Sequence, residues 1–236
     1  MHSPYGFDLT ESCLLCKLRS DKFFCNLPAP ALKTLESIKQ VNAYPSGAVL
    51  FAEGQAPRGV FILCRGRVKL SITSREGKVL ILKLAEPGDV LGLNATLLSK
   101  PYEATAETLY ASQLDYIPRQ DFQRFLKQYG EVCLQAATHV GKSCESAYEQ
   151  IRSLGLSHSA PEKLAKLLLE LTANEGKPAN SVKLGLTHEE IAQLIGSSRE
   201  TVTRLFSDLR KRKIAQLKGA TLSIFDRTAL ARQVLS

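Results

Sequence analysis

The sequence predicts an α+β chain: a small antiparallel barrel, then a long helix, then a helical unit with a two-stranded wing. Three observations lead there. Short β-rich runs punctuated by Gly and Pro fill Leu27 to about Ile117. After Pro118 the apolar spacing changes to helical, with steps of three and four. Near the C-terminus two capped helical patterns flank a glycine, the signature of a helix-turn-helix.

The barrel strands are read from AVLF, GVFILC, RVKLSIT and VLILKLA, with turns at Glu53-Gly54, Arg65-Gly66, Glu76-Gly77 and Pro87-Gly88. PAPALKTLESIKQV, ahead of them, reads as a helix. In the long helix Val132, Ala136, Val140, Cys144, Ala147, Ile151 and Leu154 form one apolar seam, narrow enough to suit pairing with a second helix. A helix lying on its own core would give a similar pattern. The dimer is favoured because the seam outruns the barrel it would have to cover. Near GLSHSAPEKL the helix should break, with Ser159 as a cap and Pro161 in a first turn.

In LTHEEIAQLIGSSRETVTRLFSDLRKRKI, Thr187 and Glu190 make a capping box, and Ile191, Leu194 and Ile195 an apolar face. Gly196 suits the turn. Ser197 with Glu200 signals a second start, and Val202, Leu205, Phe206 and Leu209 form the second face. Ser198, Arg199, Glu200, Thr203 and Arg204 then occupy the end that a recognition helix aims at base edges. Arg can bond guanine O6 and N7 together, and Glu can accept from cytosine N4. Arg210, Lys211, Arg212 and Lys213 suit phosphates, as does Lys218 on the hairpin Ile214–Lys218/Thr221–Phe225. The alternative is a helical hairpin with a solvated basic face.

Composition agrees with a nucleic-acid partner. The chain of 236 residues has net charge +8 and is 44% apolar. From Ser157 onward 13 Lys and Arg face 8 Asp and Glu, so the C-terminal third carries +5 of the +8. No apolar run is long enough to span a membrane, and MHSPYGFDLTESC lacks the flank and core of a secretory signal. A cytoplasmic protein is expected, in which cysteines serve as thiols or metal ligands. No nucleophile–base set suggests an enzyme, since His2, His139, His158 and His188 are scattered. The competing class is a small-molecule-binding barrel or an enzyme built on it.

SSRETVTR resembles the recognition helix of the bacterial CRP/FNR family of transcription regulators. GAVLFAEG, GVFILCRGRVKL and PGDVLG resemble that family's β-roll. The resemblance implies an N-terminal cyclic-nucleotide-binding-like β-roll (a jelly-roll barrel), a long dimerisation helix and a C-terminal winged helix-turn-helix. It implies a homodimer on a near-palindromic duplex, with RNA polymerase as a further partner. The base-reading residues fall on Arg199, Glu200 and Arg204, with Thr203 at the remaining variable position. The expected divisions are 1–26, a Cys-containing segment; 27–122, the β-roll; 123–156, the dimer helix; and 157–236, the DNA-binding domain.

The cAMP-binding members carry Glu after the second Gly of GDxxGE and an Arg-Ser pair about ten residues on. Here Leu93 and Glu103 stand at those places, and a carboxylate facing a phosphate is repulsive, so cAMP is not expected. Gly88, Asp89, Gly92 and Ala95 match the GDxxGxxA of the oxygen-sensing FNR branch. That branch holds a [4Fe-4S] cluster on N-terminal cysteines plus one in the β-roll, which makes Cys13, Cys16 and Cys25 of CLLCKLRSDKFFC candidate ligands. Their spacing is longer than the family's, and Asp115 stands where the fourth cysteine belongs. Candidate fourth ligands are Asp115, Cys64, Cys133 and Cys144. The same residues suit a thiol switch, with Lys17, Arg19 and Lys22 lowering thiol pKa, or zinc, or packing through Leu14, Phe23 and Phe24. Cys64, Cys133 and Cys144 are each also expected as buried small hydrophobes.

Overall fold

The computed structural model describes residues 2–16, 23–155, 159–173 and 181–234. It divides into two compact units, 1–78 with 82–146 and 79–81 with 147–236. Lys17, Arg19, Lys22, Ser157, His158 and the side chains of Phe23 and Leu154 lie outside the described residues.

The first unit opens with helix α1 (Ala29–Ile38), which buries Ala31, Leu32 and Leu35 at helical spacing. Strands β1 (Gln40–Tyr44), β2 (Val49–Phe51), β3 (Gly59–Arg65), β4 (Val68–Thr73), β5 (Val79–Ala85) and β6 (Val90–Leu91) follow. Then come α2 (Leu93–Leu98), β7 (Thr105–Thr108), β8 (Ser112–Pro118), α3 (Arg119–Gln128) and α4 (Gly130–Gly155). The strands form two sheets, β1-β8-β3-β6 and β2-β7-β4-β5. Phe61 and Leu63 of β3, with Leu114 of β8, point between them to meet Phe51, Val68, Leu91 and Tyr102. The alternate residues Val60, Ile62 and Ile117 pack outward against α1, α3 and the start of α4. With both faces covered, β3 reads as an unbroken apolar run instead of an alternating one.

The predicted turn glycines at 54, 66, 77 and 88 all have positive φ. Gly66 is doubly constrained: its φ is +100°, and a Cβ there would lie 2.1 Å from Ser112 Oγ.

An N-terminal arm lies on the outer face of the first sheet. Thr10 N donates to Gln113 Oε1 (2.8 Å), and Gln113 Nε2 donates back to Thr10 O (2.7 Å). Ser12 Oγ and Leu14 N both donate to Glu36 Oε1. The Arg65 guanidinium stands 4.9 Å from the Phe7 ring centre, a cation–π contact. At the middle Lys39 Nζ donates to Asp115 Oδ2 (2.6 Å) and to Cys13 Sγ (3.2 Å). Both side chains of this ion pair are nearly sealed from solvent, at 3% and 0% exposure. Phe24 closes the outer core against Phe122 and Phe125, at 5.9 and 6.5 Å between ring centres.

Helix α4 corrects the predicted seam. Val132 and Ala136 are buried in the first unit's own outer core, with Val140 packed against it, so they have no surface to offer a partner. Cys144, Ala147 and Ile151 are exposed. The steps of four and three drift around the helix and joined two neighbouring faces into one. The face left free recurs every seven residues: Leu134, Gly141 and Tyr148, with Ala137, Cys144 and Ile151 three positions on, all exposed.

The second unit contains α5 (Ala160–Ala173), β9 (Ser181–Lys183), α6 (His188–Ile195), α7 (Arg199–Lys211), β10 (Ala215–Lys218), β11 (Thr221–Ile224) and α8 (Arg227–Arg232). Ser159 caps α5 as expected: Glu162 N reaches Ser159 Oγ and Ser159 N reaches Glu162 Oε2. The wing hairpin gains a third strand the sequence reading missed, β9, which pairs with β11. Leu164, Leu168, Leu186, Ile191, Val202, Phe206 and Leu222 form the core.

The buried pair carries a stability prediction. Lys39→Met leaves the Asp115 carboxylate buried without its cation, at a cost of about 3–5 kcal/mol, and Lys39→Met/Asp115→Leu recovers most of it. Burial opposes the Lys39 charge, but the Asp115 carboxylate outweighs it and pushes the ammonium up to about 12. A pKa raised in the fold stabilises fully below the unfolded value of 10.5 and is lost as pH rises through about 12. Urea unfolding followed by circular dichroism should show that alkaline loss in the wild type and not in the double variant.

Candidate nucleic-acid interface

The helix-turn-helix is built by local hydrogen bonds. Thr187 caps α6: Glu190 N donates to Thr187 Oγ1 (3.2 Å) and Thr187 N to Glu190 Oε2 (2.9 Å). Gly196 ends α6 at φ +64°, a left-handed position that favours glycine. The next cap is Ser198, whose Oγ accepts from Thr201 N (3.2 Å). This corrects the expected Ser197–Glu200 box: Glu200 is the second residue of α7, one short of the capping-box position. Hydrogen bonds from its own backbone and from the Ser198 hydroxyl hold its carboxyl below the usual range.

Val202, Phe206 and Leu209 face the core, which leaves the opposite face of α7 outward. Ser198, Arg199, Glu200, Thr203, Arg204, Arg210 and Lys211 are all exposed, as are Lys213 and Lys218 beyond the helix. Arg199, Glu200, Thr203 and Arg204 share one stripe at the N-terminal half, which fits base edges in a major groove. The basic residues continue past it towards the wing. Arg212 is engaged locally, 3.6 Å from Asp208 Oδ2. Lys213 has φ +57°, so a non-glycine residue takes the left-handed turn from α7 into the wing.

His188, read from sequence only as part of a helix start, lies in this interface. Its ring stacks on Phe206 at 5.2 Å with a 7° interplanar angle, and Nδ1 is 2.9 Å from Thr203 Oγ1. Burial, then the Arg199 charge, pushes the imidazole below its ordinary pKa. Nothing in the local sequence marks this contact, because the residues come together only when α6 packs on α7.

In the β-roll, the GDVLG segment is held by Asp89, whose Oδ2 accepts from Glu86 N (3.0 Å) and pairs with Lys83 (3.2 Å). Leu93 is buried in the outer core and Glu103 is exposed. Tyr102, next to Glu103 in the chain, is buried in the core between the two sheets. Its ring stacks on Phe51 at 3.9 Å, its hydroxyl donates to Gly59 O (2.8 Å), and a Cβ on Gly92 would come within 2.6 Å of it.

Among the described residues no three His, Cys, Asp or Glu side chains come together to hold a metal. Asp115 is corrected from ligand to counter-ion: its carboxylate holds Lys39, and the same ammonium bonds Cys13. A cation at that point repels a second one. Cys16 adjoins the undescribed residues, and Cys25 sits in the 3₁₀ turn Phe23–Asn26. Cys133 and Cys144 are exposed on α4, not buried. Burial also pushes the Cys13 and Cys64 thiols up, the opposite of what a reactive thiolate needs.

Comparison with known proteins agrees with this geometry. Residues 41–129 match the cyclic nucleotide-binding domain and residues 162–233 the Crp-like helix-turn-helix domain. The chain is 30% identical over 206 residues to the global nitrogen regulator of Synechococcus elongatus, covering 82% of this chain and 89% of that protein. It is 27% identical over 213 residues to the CRP-like cAMP-activated global transcriptional regulator of Mycobacterium tuberculosis, covering 89% and 95%. FixK2 from Bradyrhizobium japonicum shares the fold, with TM-score 0.74 at 20% identity over 83% of this chain and 97% of that one. With its β-roll, its helix-turn-helix and these relatives, the chain belongs to the CRP/FNR family of DNA-binding transcription regulators.

Proposed function

We propose that the chain acts as a homodimer on a near-palindromic duplex, reading bases with Arg199, Glu200, Thr203 and Arg204. The observation that carries this reading is the outward stripe on α7, with a capped N-terminus and a basic continuation. The free heptad face of α4 supports two-fold pairing through Leu134, Gly141, Cys144, Tyr148 and Ile151. Family members bind DNA and act as dimers, and two-fold symmetry would put the recognition helices about 34 Å apart, one turn of DNA. The functional division would be 1–26, 27–122, 123–156 and 157–236. The protein would work in the cytoplasm, without catalysis of its own, and act on RNA polymerase from its DNA site.

The β-roll would not take cAMP as the activated relatives do. Leu93 and Glu103 stand where those relatives would carry the ribose-binding and phosphate-binding groups. Control through the N-terminal unit would use the docked arm, which a signal could release from Gln113, Glu36 and Lys39. Since Asp115 and Cys13 share a lysine, that signal need not involve iron.

Glu200→Ala is expected to cost about 1–3 kcal/mol and to relax preference at one base pair. Lys211→Ala should weaken all sequences alike and lower the salt slope by about one. Fluorescence anisotropy on selected duplexes separates the two, and absence of salt-dependent duplex binding would overturn the reading in favour of a ligand-binding barrel. Ile151→Asp should convert dimer to monomer in sedimentation while the protein stays folded; Val132→Asp should instead unfold the first unit. Saturating cAMP should leave the melting midpoint unchanged, whereas a true ligand at a hundredfold its Kd would add about 2.7 kcal/mol.

A further inference from the structure

We infer that His188 fixes the hydrogen-bonding sense of the Thr203 hydroxyl and so determines which bases the recognition helix accepts opposite that residue. The inference rests on the proposed reading of DNA by α7 and adds a residue to it.

The argument is a count of protons. A threonine hydroxyl has one hydrogen and two lone pairs. Thr203 Oγ1 donates to Arg199 O, 2.9 Å away, in the i−4 contact common for threonine in a helix. It also lies 2.9 Å from His188 Nδ1. If the hydroxyl gave its hydrogen to the imidazole, its lone pairs would face those of the Arg199 carbonyl at 2.9 Å. Both short contacts are hydrogen bonds only when Nδ1 carries the proton and Oγ1 accepts it. The stack on Phe206 holds the ring in the plane that this bond needs. An imidazolium also donates from Nδ1, so the result is the same in either protonation state.

Thr203 is exposed, and what it offers a groove is one remaining lone pair. It can accept from an exocyclic amine, adenine N6 or cytosine N4, and has no hydrogen for guanine O6 and N7 or thymine O4. Threonine alone would tolerate either sense, because a free hydroxyl rotates. His188 removes that tolerance without touching the base.

The test uses the full-length protein and a selected operator, with every base placed in turn opposite Thr203 and affinities read by competition anisotropy. The wild type should prefer A or C over G or T by about three- to tenfold, the worth of one hydrogen bond. His188→Phe keeps the stack and removes the donor; its preference at that position should fall below about twofold while other positions are unchanged. His188→Asn restores a donor near the Nδ1 position but loses the stack, so it should bind more weakly to all sequences and keep the preference. A structural role for His188 would weaken every sequence alike and leave the base preference in His188→Phe, and that result would overturn the inference alone. A wild type that prefers G or T there would do the same. A wild type with no base preference anywhere would overturn the reading of DNA itself, and this inference with it.

Discussion

The first unit is organised around an ion pair that water does not reach. Lys39 ends α1, Asp115 lies in the middle of β8, and Cys13 belongs to the arm; one ammonium bonds both of the others. Burying two charges is unfavourable unless geometry is good and further partners are present. That requirement constrains everything around it. The arm must lie across the sheet, β8 must turn Asp115 outward while Leu114 points in, and α1 must end where its lysine can reach. Gln113 repeats the arrangement one turn of the pleat away, exchanging two hydrogen bonds with Thr10. A sheet whose outer face carries two buried polar side chains has one register that brings each to its partner, and a one-residue slip would strand both.

What the sequence disclosed divides along physical lines. Turn glycines, the Thr187–Glu190 box, the two apolar faces of the helix-turn-helix and the wing are set by interactions within a few residues, and all were legible. The Ser198 cap was placed one residue early because either of two adjacent serines can serve. The predicted seam on α4 divides into a buried and an exposed half for a different reason. Val132 and Ile151 are both apolar and both on one helix, but only tertiary packing decides that one meets Phe24 and its neighbours while the other meets solvent. Asp115 stands among the candidate fourth ligands because position in a pattern does not show what lies across the sheet. Strand β9 was missed because three residues leave too short a pattern. His188 was invisible for the same reason as Asp115: its partners arrive from other elements.

In the second unit, α7 is fixed mostly from outside the face it turns to solvent. Capping sets where α7 begins, Gly196 ends α6 in a left-handed turn, Ile195 and Val202 are both buried, and Lys213 turns the chain into the wing. Most of the exposed side chains are thereby free of structural duty, with Ser198, Thr203 and Arg212 among the exceptions. This division of labour lets a recognition surface change without loss of the fold.

Tyr102 gives the β-roll a property of its own. Stacked on Phe51, bonded to Gly59 O and pressed under Gly92, the ring is built into the barrel's buried core. Any molecule that entered the barrel at this point would have to displace the side chain, so its observed affinity would be the difference between what it gains and what the tyrosine gives up. A threshold of that kind would be set by how well one residue of the chain is packed.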